Sequence, residues 1–306
     1  MPMQIFLTGA TGFIGGHIMR SLLARGHHLT CLVRPGSRSR LPAHPQVRQV
    51  VGDWLLPASW VGAVPGHAVV INSIGIIREQ RGAGFAAVHT AAPPALFAAA
   101  AESGVSKIVQ ISALGADAQA TSRYHRSKYV ADRRPAELGV PYVVLRPSIV
   151  YGPGDHSMRL FARLAALPIT PVPGDGQYQL QPVHINDLAR AVVAAVERPD
   201  LHALTVDVGG AHALTFAAIL DTLARLQGKL HGARILPIPW PVMRLVAAIT
   251  DRLGVGPITR EELGMLRRGN TTDIAPFVRA FGFTPLSFEE GIRMRGEVHP
   301  ISSREK

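Results

Sequence analysis

The sequence predicts an α/β protein, a doubly wound parallel sheet followed by a smaller, mainly helical lobe. Two observations carry this. Short apolar runs alternate with Ala-rich helical segments over the first two hundred residues, as parallel strands joined by helical crossovers require. Beyond Pro147 the texture changes to Pro- and Gly-rich loops and then to further helical periodicity. In order, residues 4–8 form an apolar run ending at a glycine, 13–24 have helical spacing, and 28–33 are apolar again, a β–α–β unit. Further strands are expected at 47–51, 68–73, 107–112, 142–146 and 204–208, with helices at 91–102 and 124–138 between them. Helices are also expected at 185–196, 215–226, 242–253 and 260–268. The expected division is 1–150, completed by about 181–210, for the sheet domain. Residues 151–180 and 211–295 form the substrate lobe, and the tail from Gly296 has little to bury and should fray.

With 306 residues, 47% hydrophobic and 17% charged, the chain has ample material for a core and is not disordered. Its single cysteine, Cys31, excludes an internal disulfide framework and cysteine-based metal centres; mid-strand, it is expected to be a small buried hydrophobe. No HExxH or similar histidine pair occurs, so no metal site is expected. The first residues lack a basic-then-apolar leader, and the longest uncharged stretch, 56–77, is interrupted by Pro57, Pro65, Gly66, His67 and Asn72, which leads us to expect a cytoplasmic protein without a membrane span. The net charge of +11 attracts anions of any kind. With four lysines and no aromatic–basic interleaving, nucleic acid is not an expected partner.

Thr8-Gly9-Ala10-Thr11-Gly12-Phe13-Ile14-Gly15 places glycines three apart between a strand and a helix. There a pyrophosphate can approach backbone N–H groups at a helix N-terminus, so a dinucleotide cofactor is expected. No Asp or Glu precedes Asp53, so the carboxylate that holds a ribose 2′-OH is missing from its usual place. Arg34, followed by Ser37 and Arg38 in Pro35–Arg40, stands there instead. This cluster suits a 2′-phosphate and favours NADP(H); its alternative is a solvated basic loop. Asp53 and Trp54 are placed to cap the adenine edge. Tyr124 and Lys128, four apart, share a face of one helix. An ammonium beside a phenol is expected to lower the phenol's pKa, letting Tyr124 shuttle a proton to or from a carbonyl or alcohol oxygen.

These motifs resemble the short-chain dehydrogenases/reductases, and among them the extended and atypical branches, which carry TGxxGFIG. The stretches Ile111-Ser112-Ala113-Leu114-Gly115-Ala116-Asp117, Ser122-Arg123-Tyr124 with Lys128, Arg146-Pro147-Ser148-Ile149-Val150-Tyr151-Gly152-Pro153-Gly154-Asp155, Gln181-Pro182-Val183-His184 and residues 263–270 are similar to the group of the NADPH-binding accessory subunit of respiratory complex I. The resemblance covers most of the chain. It implies a Rossmann domain, bound NADP(H), and pyrophosphate contacts at Gly9, Thr11, Gly12, Phe13, Ile14 and Gly15, with Arg34 at the 2′-phosphate. It further implies Ser73, Ile74 and Gly75 on the nicotinamide side, Lys128 at the nicotinamide ribose, and Pro147, Ser148 and Ile149 near the carboxamide. Ser112 is the implied third catalytic group, beside Tyr124 and Lys128. Active members carry a Ser or Thr just beyond the fifth strand, where this chain continues with Ala113 and Leu114.

Three functions follow as expectations. The first is an NADP-dependent oxidoreductase acting on a carbonyl or quinone-like small molecule. The second is an NADPH-binding accessory or assembly protein of a respiratory or membrane-associated complex, held peripherally at the inner face of a membrane. The third, less favoured, is a nucleotide-sugar epimerase or dehydratase. Oligomeric state is open. Asp155, His156 and His184 either face substrate or serve loop polarity and helix capping, and residues 240–249 either pack on the core or rest on a membrane surface.

Overall fold

The inner strands of the central sheet are apolar runs buried on both faces, while its two edge strands, Val47–Val51 and Leu204–Val208, are only partly buried. The computed structural model describes residues 1–79, 82–253 and 258–294, with the side chains of Arg38, Ser39 and Leu253 outside that description. The strands are β1 (Gln4–Thr8), β2 (His28–Val33), β3 (Val47–Val51), β4 (Val69–Asn72), β5 (Lys107–Ile111) and β6 (Tyr142–Pro147), with Leu204–Val208 at the edge. Seven strands pair in the order Leu204–Val208, β6, β5, β4, β1, β2, β3, all parallel. The order reverses between β1 and β4, and open sheets of this kind bind ligands beyond the carboxyl ends of such a pair.

Helix α1 (Phe13–Ala24) packs on α5 (Ile185–Glu197), and α2 (Ala92–Glu102) on α3 (Arg123–Glu137). Phe6, Val70, Leu96, Phe97 and Ile108 form one buried cluster between sheet and helices. Cys31 is fully buried in β2, and desolvation pushes its thiol up to about 12, which leaves it unreactive. The chain divides into two units: Met1–Pro147, Ile185–Val208 and Ala275–Phe283 in the first, and Ser148–His184 with Gly209–Ile274 and residues from Thr284 in the second. Residues 275–283, expected in the lobe, belong to the sheet unit. There Arg198 Nη1 donates to the Ala280 carbonyl at 2.8 Å and Arg190 lies 3.9 Å from the Phe283 ring centroid.

The second unit has its own core of Tyr151, Met158, Val172, Phe216, Ile219, Leu220 and Phe288. Its helices are α4 (Ser157–Ala166), α6 (Phe216–Leu226), α7 (Trp240–Leu253), α8 (Arg260–Arg268) and α10 (Phe288–Arg293), while α9 (Ala275–Phe281) lies in the sheet unit. Asp155 settles into the capping role: it is buried, accepts from Gly152 N, and its Oδ1 accepts from Met158 N at 2.7 Å in the first turn of α4. His184 is likewise buried, edge-on to Tyr151 at 5.1 Å, and faces the core of its unit. Among the described residues no helix is long and apolar enough to cross a membrane. The tail from Gly296 lies outside the described residues.

Candidate cofactor and active site

The carboxyl ends of β1, β4 and β5 are joined by side chains. Thr8 Oγ1 donates to Asn72 Oδ1 at 2.7 Å, and Asn72 Nδ2 donates to Gln110 Oε1 at 2.8 Å, all three buried. This rung fixes the strand ends from which the glycine turn and residues 73–76 depart. Gly9 has φ +79°, and a Cβ there would lie 2.6 Å from Ser73 Oγ. A Cβ on Gly15 would lie 2.6 Å from the Gly9 carbonyl carbon. Gly12 N donates to Gly9 O at 2.9 Å, and Ser73 Oγ donates to Thr8 O at 2.6 Å. Gly12 begins α1 without a side-chain cap, and no acid stands in the first turn, so an anion meets no competing carboxylate there. The turn has no room for a side chain at Gly9 or Gly15, and the backbone N–H groups at the start of α1 are of the kind that a dinucleotide pyrophosphate requires.

Beyond β2, Arg34 is exposed and its carbonyl accepts from Ser37 N at 2.9 Å, in the turn Pro35–Arg40. Ser37 is buried there, while the Arg38 side chain lies outside the described residues. Asp53 is exposed, with Oδ1 accepting from Leu55 N. Trp54, expected at the adenine edge, turns its side chain inward. Its indole is buried, stacks on Trp60 at 5.3 Å and donates to the Val88 carbonyl at 3.0 Å, because an aromatic of that size gains more from the core than from a rim position.

Ser122 caps α3 by accepting from His125 N at 3.2 Å, and the helix then carries Tyr124, Lys128 and Asp132 on one stripe. Lys128 is buried, and its Nζ donates to the carbonyls of Ile111 at 3.2 Å and Ile74 at 3.5 Å, which brings it to the ends of β5 and β4. A Cβ on Gly75 would stand 2.8 Å from that Nζ. Burial lowers the Lys128 pKa to about 8, opposed by the Asp132 carboxylate. Tyr124 contradicts the sequence expectation. Burial raises its phenol pKa and Asp132 adds to the shift, so desolvation outweighs any lowering by Lys128.

Three residues that sequence reasoning missed complete the cluster. His89 lies in the π-helical turn Ala86–Ala91, its ring edge-on to Tyr124 at 5.6 Å. Its Nε2 accepts from Ile76 N at 3.0 Å, so the proton sits on Nδ1, which faces Ser127 Oγ at 2.9 Å; Ser127 Oγ in turn donates to the Tyr124 carbonyl at 2.6 Å. Burial, with Lys128 nearby, lowers His89 to about 3 and keeps it neutral. Asp132 is buried, pushed up by desolvation, and takes Arg146 Nε and the Ser112 hydroxyl on one oxygen. Ser112 is therefore tied to Asp132, and its proton is spent there. The i, i+4 spacing from Lys128 is the signal that could have found Asp132; nothing local marked His89.

Pro147 ends β6, while the Ser148 hydroxyl donates to the Gln181 carbonyl and Ile149 N donates to Asn270 Oδ1, both within the second unit. Among the described residues no group of three or more metal-ligating side chains converges.

A family model described as the NAD dependent epimerase/dehydratase family matches residues 5–209. A ceramide reductase of Caulobacter vibrioides is 28% identical over 253 residues, which cover 81% of this chain and 77% of that protein. The mitochondrial NADH dehydrogenase [ubiquinone] 1 alpha subcomplex subunit 9 of Arabidopsis thaliana is 28% identical over 255 residues, 79% of this chain; the match spans 62% of that subunit, less than two thirds of its length. Among solved structures, the UDP-glucose 4-epimerase of Thermus thermophilus in complex with NAD shares the fold at a TM-score of 0.71 and 23% identity, covering 95% of this chain and 97% of that one.

Proposed function

Because the chain belongs to the NAD dependent epimerase/dehydratase family, we propose that it is an NADP(H)-dependent oxidoreductase that reduces a carbonyl or quinone-like small molecule, with Tyr124 as proton donor. The observation that carries this is the placement of Tyr124 and Lys128 one turn apart on α3, with Lys128 Nζ held to the carbonyls of Ile74 and Ile111. Gly9, Thr11, Gly12, Phe13, Ile14 and Gly15 would hold the pyrophosphate against backbone N–H groups. Arg34, with Ser37 and Arg38 in the turn behind it, would take the 2′-phosphate, and Asp53 the adenine. Ser73, Ile74 and Gly75 would line the nicotinamide side and Lys128 the adjoining ribose. When bound, the reduced nicotinamide supplies the hydride. Tyr124, its phenol raised by burial, keeps its proton at neutral pH and donates it to the substrate oxygen. Lys128, protonated below about pH 8, stabilises the phenolate that this leaves. His89 and Ser127 hold the first turn of α3 against residues 74–76. The similarity to a protein named as a reductase supports the direction.

The test is oxidation of NADPH by the purified protein with carbonyl compounds and quinones offered in turn. Turnover that disappears in Tyr124→Phe is expected, and turnover undiminished in that variant would overturn Tyr124 as donor. A second reading, an NADPH-binding accessory protein of a respiratory or membrane-associated complex, draws on the engaged Ser112 hydroxyl and on the similarity to a complex I subunit. Tight NADPH binding without turnover of any acceptor would favour it, since a bound nucleotide stabilises a fold without chemistry.

A further inference from the structure

Helix α7 turns an apolar face outward. Val242, Leu245, Val246 and Ile249, at the spacing of one helical stripe, retain 48%, 63%, 37% and 51% of their exposure. Ala247, on the opposite side of the helix, is fully buried. The stripe therefore points away from the core of its own unit. Arg252 adjoins it, exposed and without an acidic partner among the described residues. Beside it a cavity of about 490 Å³ between α7 and α8 is lined by Arg244, Arg260 and Arg267 together with Trp240, Leu245 and Leu263. Residues 240–268 hold five arginines against three acids. Of those acids, Asp251 is bonded to Arg260 at 2.8 Å and Glu262 closes the capping box of α8 with Thr259; the third is Glu261.

We propose that α7 docks the second unit on an anionic lipid surface, with Val242, Leu245, Val246 and Ile249 entering the headgroup–acyl boundary and Arg252, which borders the stripe, meeting lipid phosphates. An apolar stripe rimmed by arginine is the pattern of a helix that lies in a membrane interface. A second copy of the chain fits the face less well. An isologous contact would bring the same arginines together, and four side chains fall short of the roughly 800 Å² per partner of a stable interface. The chemistry at Tyr124 plays no part in this inference.

The experiment is sedimentation of the whole protein with phosphatidylcholine vesicles, with and without phosphatidylglycerol, beside light scattering in the absence of lipid. The protein should sediment with the phosphatidylglycerol vesicles, less so as salt rises. Leu245→Glu/Ile249→Glu should lose at least tenfold in partitioning, and Arg252→Gln about fivefold, the worth of one cation near an anionic leaflet. Both variants should titrate NADPH as the parent protein does, which shows that they fold. Should the double variant fail to fold, Arg252→Gln and the lipid dependence of the parent protein give the same reading. Equal binding to neutral and anionic vesicles, no binding to either, or an unaltered double variant overturns the proposal. So does a dimer that the double substitution dissociates while no vesicle is bound.

Discussion

The Ser112 hydroxyl donates to Asp132 Oδ2 at 2.8 Å, the same oxygen that receives Arg146 Nε at 2.8 Å. A hydroxyl so engaged belongs to the support of α3. Ser112→Ala removes one of the partners of a buried carboxylate and should cost about 1–3 kcal/mol in denaturant unfolding. Its effect on turnover separates the two roles. Loss of a donor to a developing oxyanion costs about 100- to 1000-fold in kcat, whereas a supporting role predicts less than about tenfold. A kcat loss in the first range, with stability unchanged, would return Ser112 to the reacting centre.

Lys128 sets the alkaline limit of the proposed reaction. With its pKa lowered to about 8 by burial, the ammonium that steadies the Tyr124 phenolate is present below that value and lost above it. Reduction should therefore fall as pH rises through about 8. Asp132 raises the Lys128 pKa, so Asp132→Asn should move the falling limb to lower pH. A pH–rate profile of kcat for both proteins checks this, and a limb that stays in place or moves upward contradicts the assignment.

The glycine turn is tested by contrast. A methyl on Gly15 meets the Gly9 carbonyl carbon and Ser73 Oγ at 2.6 Å, with rigid backbone on one side, so Gly15→Ala must displace the turn. A methyl on Gly62 meets nothing within 4 Å. Gly15→Ala should abolish NADPH binding in a fluorescence titration while Gly62→Ala binds as the parent protein does. Equal binding by all three would detach the turn from the nucleotide.

The sheet was legible because its strands are apolar runs with glycine or polar punctuation: Gln4–Thr8, His28–Val33, Val47–Val51 and Leu204–Val208 lie where period and composition place them. Helix Ser157–Ala166 was not, since its neighbours 152–154 and 168–176 read as loop and its start depends on the buried Asp155 cap. The Tyr124–Lys128 pair was readable from spacing, but its electrostatics were not. Proximity suggested a lowered phenol pKa, and desolvation, a property of the folded environment, reversed the sign. Trp54 shows the same limit: sequence position places it near the adenine side, and only packing reveals that its ring completes the core beside Trp60. His89 sits in an Ala-rich stretch without periodic or motif character, and a π-helical turn aims it at Ser127. For α7, periodicity predicted a face and could not say toward what the face turns.

The proposed preference for NADP(H) rests on Arg34. It is exposed just past β2, where a carboxylate would otherwise hold a ribose 2′-OH, and no acid precedes Asp53 in the chain. A guanidinium there gains charge-assisted hydrogen bonds from a 2′-phosphate and nothing comparable from a hydroxyl. A hydrogen bond to a charged group contributes about 1.5–3 kcal/mol. Arg34→Ala should therefore weaken NADPH by about 10- to 100-fold in a binding titration while NADH changes little. Arg34→Glu should go further, because a carboxylate repels the phosphate and can accept from a ribose hydroxyl, so the order of preference should invert. Equal losses for the two nucleotides in Arg34→Ala, or an Arg34→Glu protein that still prefers NADPH, would place the 2′-phosphate elsewhere in the turn.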